Sequence, residues 1–300
     1  MTSKYKLLVL DIDNTVFDWV EYYVHCMDAM LSAVEKITAV PVLQLAAECK
    51  EIFTKEDSIE YPFVVQQLPS VIKFYNGDYS KILDEVVPSA RDAFLSTAQK
   101  HLVPYEGVLG AMKKMREKHP DLKIAALTDA PRYVAMWKLN KLGLLHFFDS
   151  IYGLGDPRIP VSEDKKRALV SEDILIKHLE GSQFKFEGAV RVLPDVYEKP
   201  GKRGLKTILM DYDLDEDRSQ WDKVLWVGDN VGKDVGLGNS MGITTAWAKY
   251  GTGLPDNLLK TLKTFSPDVN VRKNVSISIE LDGYKPKYIL ESFGDLIGIL

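Results

Sequence analysis

The sequence predicts an α/β fold: a three-layer, Rossmann-like parallel sheet core with an inserted helical domain and, beside it, accessory β-hairpins. Three observations carry this. Short apolar runs of strand length recur along the chain, most of them followed by a helical pattern, the alternation expected of βα units. Several of these runs end in a small polar cluster rich in Asp, Asn and Thr. Between the first and second runs the patterning is helical and the alternation stops.

In chain order, Lys6 to Leu10 is a compact apolar run that opens into Asp11-Ile12-Asp13-Asn14-Thr15, the signature of a buried strand leading into a polar turn. Residues 19–103 then read as a helical insert. Val20, Tyr23, Val24, Met27, Leu31 and Val34 follow the i, i+3, i+4, i+7 rule and form one apolar stripe on a helix that stops before Pro41. Further helical stretches run from Leu43 to Phe53 and from Ser89 to Leu102, with Pro62, Pro69 and Pro88 breaking the segment between them. The chain returns to the sheet near Pro104. Ile124 to Leu127 ends in Thr128-Asp129, a short strand follows near Ser150 to Tyr152, and Val224 to Val227 ends in Gly228-Asp229-Asn230. Ile243 to Trp247 is a further strand.

These assignments divide the chain into a core of residues 1–18 and 104–300, interrupted by the helical domain 19–103 and by insertions over about 154–194 and 265–285. The first insertion holds a short helical pattern from Ser171 to Leu179. Phe184, Phe186 and Val190, Val192 then alternate around Glu187-Gly188, which predicts a hairpin. Alternating Val269, Val271 and Val275, Ile277, Ile279, Leu281 around Arg272-Lys273-Asn274 predict another, and the two hairpins are expected to form a small accessory sheet.

Composition narrows the function. A 300-residue chain with 46% hydrophobic and 27% charged residues excludes the disordered and fibrous classes. A formal net charge of −5, with only short basic clusters, argues against a nucleic-acid polymer as partner and leaves room for a small, locally gripped anion. The apolar runs fall far short of a membrane span, and Asp11 follows the first run at once, so neither a membrane partner nor a signal peptide is expected and the cytoplasm is the expected location. Cys26 and Cys49 lack metal-ligand spacing and read as buried free thiols.

The polar clusters fall where strands finish, the edge at which open α/β sheets bind ligands. Asp11 and Asp13 stand two apart in one turn, and two carboxylates side by side repel unless a cation lies between them or one is protonated. A helix cap or Asx turn explains the same pair equally well when it is taken alone.

Four features in fixed order shift the reading: Asp11-Ile12-Asp13-Asn14-Thr15, Leu127-Thr128-Asp129, Lys199-Pro200, and Gly228-Asp229-Asn230-Val231-Gly232-Lys233-Asp234. With them the chain resembles the haloacid dehalogenase-like (HAD) hydrolase superfamily, specifically a phosphatase type with a helical cap inserted after the first motif. The resemblance covers roughly residues 5–18, 104–153, 199–250 and 286–300. Asp18 also matches the acid that often closes the first motif, and Val108 to Lys118 and Leu139 to Phe148 look like the helices flanking the second.

The resemblance implies that Asp11 is a nucleophile forming an aspartyl-phosphate and that Asp13 is the general acid and base. It implies a Mg²⁺ held by the Asp11 and Asp229 carboxylates and the Asp13 backbone carbonyl, with Asp234 close by or ligating directly. Thr128, Asp129 and Lys199 would form the phosphate-binding group, Thr128 through its hydroxyl and Lys199 through its charge. Pro200 is expected at the first helical position, with Lys199 at the helix mouth. Lys202 and Lys206 are lesser rivals on a solvated helix face. Asn14 stands where many members have glycine, and Asp129 where asparagine is common, so that Asp129 could equally cap a helix beginning near Pro131.

The implied activity is Mg²⁺-dependent hydrolysis of a small phosphorylated metabolite. Asp13 favours phosphoester chemistry over carbon–halogen cleavage, since dehalogenases lack the second acid at this place. A phosphomutase using the same motifs, or a non-catalytic scaffold, are the alternatives. Asp211 to Asp222 read as a solvated acidic loop, and the five histidines as structural or exposed. Trp19, Tyr22, Tyr23, Phe63, Phe74 and Tyr75 are candidate substrate contacts, with core packing the simpler role.

Overall fold

The computed structural model describes residues 3–162, 165–171, 184–253, 255–266 and 283–300. Among these, seven strands form one sheet in the order β4-β3-β2-β1-β5-β6-β7, every neighbouring pair parallel. They are β1 (Leu7–Leu10), β2 (Lys123–Pro131), β3 (Ser150–Leu154), β4 (Ala189–Leu193), β5 (Val224–Gly228), β6 (Thr244–Ala248) and β7 (Tyr288–Leu290).

β1 lies at the centre and is buried along its whole length, which explains its unbroken apolar sequence: both faces of a parallel sheet are covered. Leu7, Val9, Ala125, Leu127, Val224 and Trp226 pack on one face with Leu205, Ile208 and Leu209. Leu8, Leu10, Ile124, Ala126, Leu225 and Val227 face the other way, into the larger core that includes Met112, Met136, Leu139 and Leu296. The two-residue side-chain period of a strand thus builds three layers from one sheet.

Register then positions the chemistry. Leu10 pairs with Ala126 of β2 and with Val227 of β5. Asp11 therefore follows one residue past this shared level, and Thr128 and Asp229 two residues past it, on three adjacent strands.

Between β1 and β2 the described chain is mostly helical. α1 (Trp19–Thr38) starts at Asp18, whose Oδ1 accepts from the Glu21 amide at 2.9 Å, and ends at Ala39 in the left-handed conformation. α2 (Val42–Lys55) and α3 (Pro69–Phe74) follow, and α4 (Tyr79–Lys81) runs through a π-helical turn, Ile82–Val86, into α5 (Val87–His101). The chain leaves and re-enters the sheet layer side by side: Phe17 and Pro104 form an antiparallel bridge, and Tyr105 N donates to Val16 O at 3.0 Å. The remaining helices are α6 (Val108–Lys118), α7 (Arg132–Lys141), α8 (Lys202–Asp211), α9 (Gly236–Met241), α10 (Asp256–Phe265) and α11 (Leu296–Ile299).

Several expectations need correction. The second flanking helix is Arg132–Lys141, followed by a short 3-10 turn at Leu145–Phe147, and does not run from Leu139 to Phe148. The hairpin over 184–192 does not form: β4 is an edge strand of the main sheet, parallel to β3. Gly188 is small for close approach, not for a turn. A Cβ there would come within 2.5 Å of Asp149 O, the atom that accepts from Ala189 N at 2.9 Å and starts the pairing. The hairpin expected over 269–281 and most of the helical pattern from Ser171 to Leu179 lie outside the described residues.

Among the described residues no single helix is long and apolar enough to cross a membrane. Cys26 and Cys49 are free and buried. Of the candidate aromatic contacts, Trp19, Tyr22, Tyr23, Phe63 and Tyr75 are buried in the core and Phe74 is exposed.

Candidate active site

The turn after β1 is held by its own side chains. Asn14 adopts φ 57°, a conformation asparagine tolerates, and its Oδ1 accepts from the Trp19 amide at 3.1 Å. Asp11 N donates to Val227 O at 2.8 Å, continuing the ladder one step past β1. Tyr250 donates its hydroxyl to Thr15 O at 2.7 Å, pinning the turn from the loop after β6. Thr15 Oγ1 is buried and has no hydrogen-bond partner among the described residues.

After β5, Asn230 receives the Lys233 amide at 2.9 Å and opens a π-helical turn, Val231–Val235, that swings Asp234 back toward the strand. Asp234 Oδ2 accepts from Asn230 N at 3.0 Å, and its backbone carbonyl accepts from Trp226 Nε1 at 2.7 Å. The absence of a side chain at Gly228 makes room for this, because a Cβ there would stand 2.3 Å from the Asp234 carboxyl.

Asp11, Asp229 and Asp234 thereby converge, with a carboxylate oxygen of each within 4.8 Å of the others. Lys199 lies between two of them, its Nζ donating to Asp11 Oδ1 at 2.6 Å and to Asp234 Oδ1 at 2.9 Å. Burial raises the pKa of Asp11, with Lys199 opposing and Asp13 adding to the rise. Burial likewise pushes Asp234 up to about 7 against the pull of Lys199. For Lys199, burial works toward deprotonation but is outweighed by Asp11, Asp234 and Asp129, so the ammonium form is strongly held.

Asp129 turns out to be a positioning acceptor: its Oδ1 receives the Lys199 amide at 2.9 Å and its Oδ2 the Lys233 ammonium at 3.1 Å. It caps no helix, and α7 begins after Pro131 without a side-chain cap. Thr128 sits within β2 at a register irregularity, its Oγ1 accepting from Ala130 N at 3.1 Å. Pro200 is not the first helical residue: Gly201 precedes α8, so Lys199 is set by the Asp129 contact and not by a helix start. Lys202 and Lys206 are exposed on α8, as expected of rivals on a solvated face.

Sequence reasoning missed Lys138. It stands on α7 with no exposed side-chain surface, and its Nζ donates to Asp13 Oδ1 at 2.6 Å and to Glu60 Oε1 and Oε2 at 3.0 and 3.2 Å. Glu60 belongs to the helical insert and also accepts from Trp19 Nε1 at 2.9 Å. One signal was present: Lys138 lies three residues after Ala135 and four before Leu142, on an apolar stripe where a lysine is out of place. Burial raises Asp13 to about 6, with Lys138 opposing and Glu60 adding to the rise. Asp13 has one oxygen anchored and its side chain 24% exposed, so part of it is open to solvent.

The edge holds the carboxyl groups of Asp11, Asp13, Glu60, Asp129, Glu198, Asp229 and Asp234 against the ammonium groups of Lys138, Lys199 and Lys233. That excess of hard oxygen donors fits a divalent cation such as Mg²⁺, and the buried lysine beside it fits an anion. A cleft of about 780 Å³ lies at the opposite edge of the sheet, but charges in its lining are paired, Arg116 with Asp149 at 2.7 Å and Arg191 with Asp211 at 3.3 Å.

A HAD-hydrolase-like family model matches residues 196–296. A 2-haloacid dehalogenase from Pseudomonas syringae pv. Tomato DC3000 is similar in structure with a TM-score of 0.51 at 13% identity, covering 100% of this chain and 98% of that one. A predicted phosphoglycolate phosphatase from Haemophilus somnus 129PT gives 0.47 at 13% identity, with 100% and 99% covered. The haloacid dehalogenase-like family protein SP0104 from Streptococcus pneumoniae gives 0.43 at 13% identity, with 98% of each chain covered. No curated protein sequence matches the chain. The family match covers the later strands, residues 196–296, and the fold of the whole chain is that of the haloacid dehalogenase-like hydrolases.

Proposed function

We propose that the chain is a Mg²⁺-dependent phosphomonoester hydrolase that acts on a small phosphorylated metabolite, with residues 19–103 as the cap over its site. The observation that carries this reading is the second acid: Asp13 stands beside Asp11 with one oxygen held by Lys138 and its side chain 24% exposed. Carbon–halogen cleavage has no use for a proton donor at this point, whereas an ester leaving group does.

In the first step an Asp11 oxygen attacks phosphorus, the ester P–O bond breaks in line, and Asp13 gives its proton to the departing alkoxide. In the second, Asp13 takes a proton from water as the water oxygen attacks phosphorus, which releases phosphate and restores the Asp11 carboxylate. Lys199 screens Asp11 from the incoming phosphate and binds a phosphoryl oxygen, and the Thr128 hydroxyl donates to another. The Asp11, Asp229 and Asp234 carboxylates with the Asp13 carbonyl would hold Mg²⁺, which when bound supplies charge neutralisation at the phosphoryl oxygens.

Phosphate release from sugar phosphates, nucleoside monophosphates and phosphoglycolate, with Mg²⁺ or EDTA, tests this against a folded Asp11→Asn variant. Metal-dependent release by the wild type alone is the expected result. Halide release from 2-haloacids with no phosphate release from any ester would overturn it.

A further inference from the structure

Away from the acidic edge, three metal-ligating side chains meet in the helical insert. Glu21 and His25 stand one turn apart on α1, and His101 is the last residue of α5. Glu21 Oε1 lies 3.4 Å from His25 Nε2 and 3.0 Å from His101 Nδ1. One ligand atom of each residue lies within 4.8 Å of the other two, and the imidazole rings stack with centroids 4.1 Å apart.

We propose that Glu21, His25 and His101 form a second metal site, for a borderline transition ion such as Zn²⁺, at the joint where the helical insert leaves and rejoins the sheet layer. The donor set selects the class of ion. Two imidazole nitrogens and one carboxylate oxygen suit Zn²⁺, Co²⁺ or Ni²⁺, while Mg²⁺ prefers all-oxygen ligation. The spacing also fits: bonds of about 2.0–2.1 Å in a tetrahedral shell set neighbouring donors roughly 3.3 Å apart, close to both observed separations. The side chains of Glu21, His25 and His101 are 39%, 41% and 28% exposed, so an ion can enter and a water can complete the shell. Among the described residues no lysine or arginine pairs with the Glu21 carboxylate, so no fixed cation already occupies this position.

The position gives the site a consequence. Glu21 lies in the first turn after Asp18, and His101 lies three residues before Pro104, the partner of Phe17 in the bridge between the two crossings. An ion bound here ties the outgoing helix to the returning one and stiffens the joint about which the insert would move. This site is separate from the acidic edge, and its existence does not depend on the reaction proposed there.

Tag-free full-length protein in saturating Mg²⁺, titrated with Co²⁺, provides the test. The expected result is one saturable Co²⁺ per chain by calorimetry, with a visible d–d band that Zn²⁺ displaces. His25→Ala and His101→Ala should each weaken binding at least tenfold, whereas Asp229→Asn, at the acidic edge, should leave it unchanged. Protection of both histidines in the wild type from diethyl pyrocarbonate by Zn²⁺ gives a readout that needs no variant. No saturable binding, binding indifferent to both histidine changes, or binding abolished by Asp229→Asn would each overturn the proposal.

Discussion

Lys199 and Lys138 are both buried ammonium groups at one sheet edge, each shared between two carboxyl groups, yet their surroundings are assembled differently. The partners of Lys199, Asp11 and Asp234, both sit on segments that follow sheet strands. Lys138 holds Asp13, from the turn after β1, together with Glu60 from the helical insert. The contacts of Asp11 are therefore complete within the sheet layer, whereas those of Asp13 include a residue of the insert. The comparison teaches that Asp13, the acid–base group of the proposed reaction, is the point at which the insert reaches the acidic edge through Lys138 and Glu60.

The sharpest way to break the comparison is at Lys199. Lys199→Met should reduce kcat by about 10²–10³-fold, the usual loss for one preorganised charge donor, with phosphate release as the readout and little dependence on the leaving group. Asp13→Asn should cost about 10²–10⁴-fold for alkyl esters and much less for p-nitrophenyl phosphate, whose leaving group needs no proton. An equal loss on both substrates would remove Asp13 from the acid role.

A smaller effect is expected at Lys138. Lys138→Met leaves Asp13 and Glu60 facing each other unpaired, which should destabilise the fold by about 3–5 kcal/mol and lower kcat by about 10²-fold through misplacement of Asp13. Adding Glu60→Gln should restore part of the stability, measured by urea denaturation, and little of the rate. Full recovery of both would make Lys138 a packing residue.

The smallest effect concerns pH. Asp13 and Asp234 have folded-state pKa values raised to about 6 and about 7, and Asp11 is raised as well. Groups raised on folding bind protons in the folded state, so their contribution to metal-free stability is lost as pH rises from the ordinary carboxylate range through these values. Mg²⁺ at the proposed site would compete with the same protons. Its stabilisation, read as the Tm difference between Mg²⁺ and EDTA, should be larger near about pH 8 than near about pH 5. Equal shifts would mean that the ion binds elsewhere.

The sheet was legible because strands buried on both faces must be apolar throughout; β1 and β5 are followed at once by Asp11 and Asp229, while β2 carries Thr128 and Asp129 inside it and runs on to Pro131, beyond the end expected at Leu127. The motif acids were legible for the same reason. Lys138 and Glu60 were not, because their meaning lies in a contact between residues 78 apart in sequence, and a lysine on an otherwise ordinary helix announces itself only by breaking an apolar stripe. The stretch from Phe184 to Val192 misled because alternation fits an edge strand and a hairpin equally, and Gly188 serves close approach as readily as a turn. Pro200 misled because the helix it was expected to open starts after Gly201, and the Asp129 contact that sets Lys199 joins residues 70 apart.

The measurement that bears most directly on the central claim is a single turnover of a phosphate ester in heavy-oxygen water, with mass analysis of both the released phosphate and the peptide carrying Asp11. Attack of water on phosphorus, as proposed, places the heavy oxygen in phosphate and none in Asp11. Heavy oxygen in the Asp11 carboxylate would mean that water attacks the carboxyl carbon, the route of ester-forming dehalogenation, and would contradict the account.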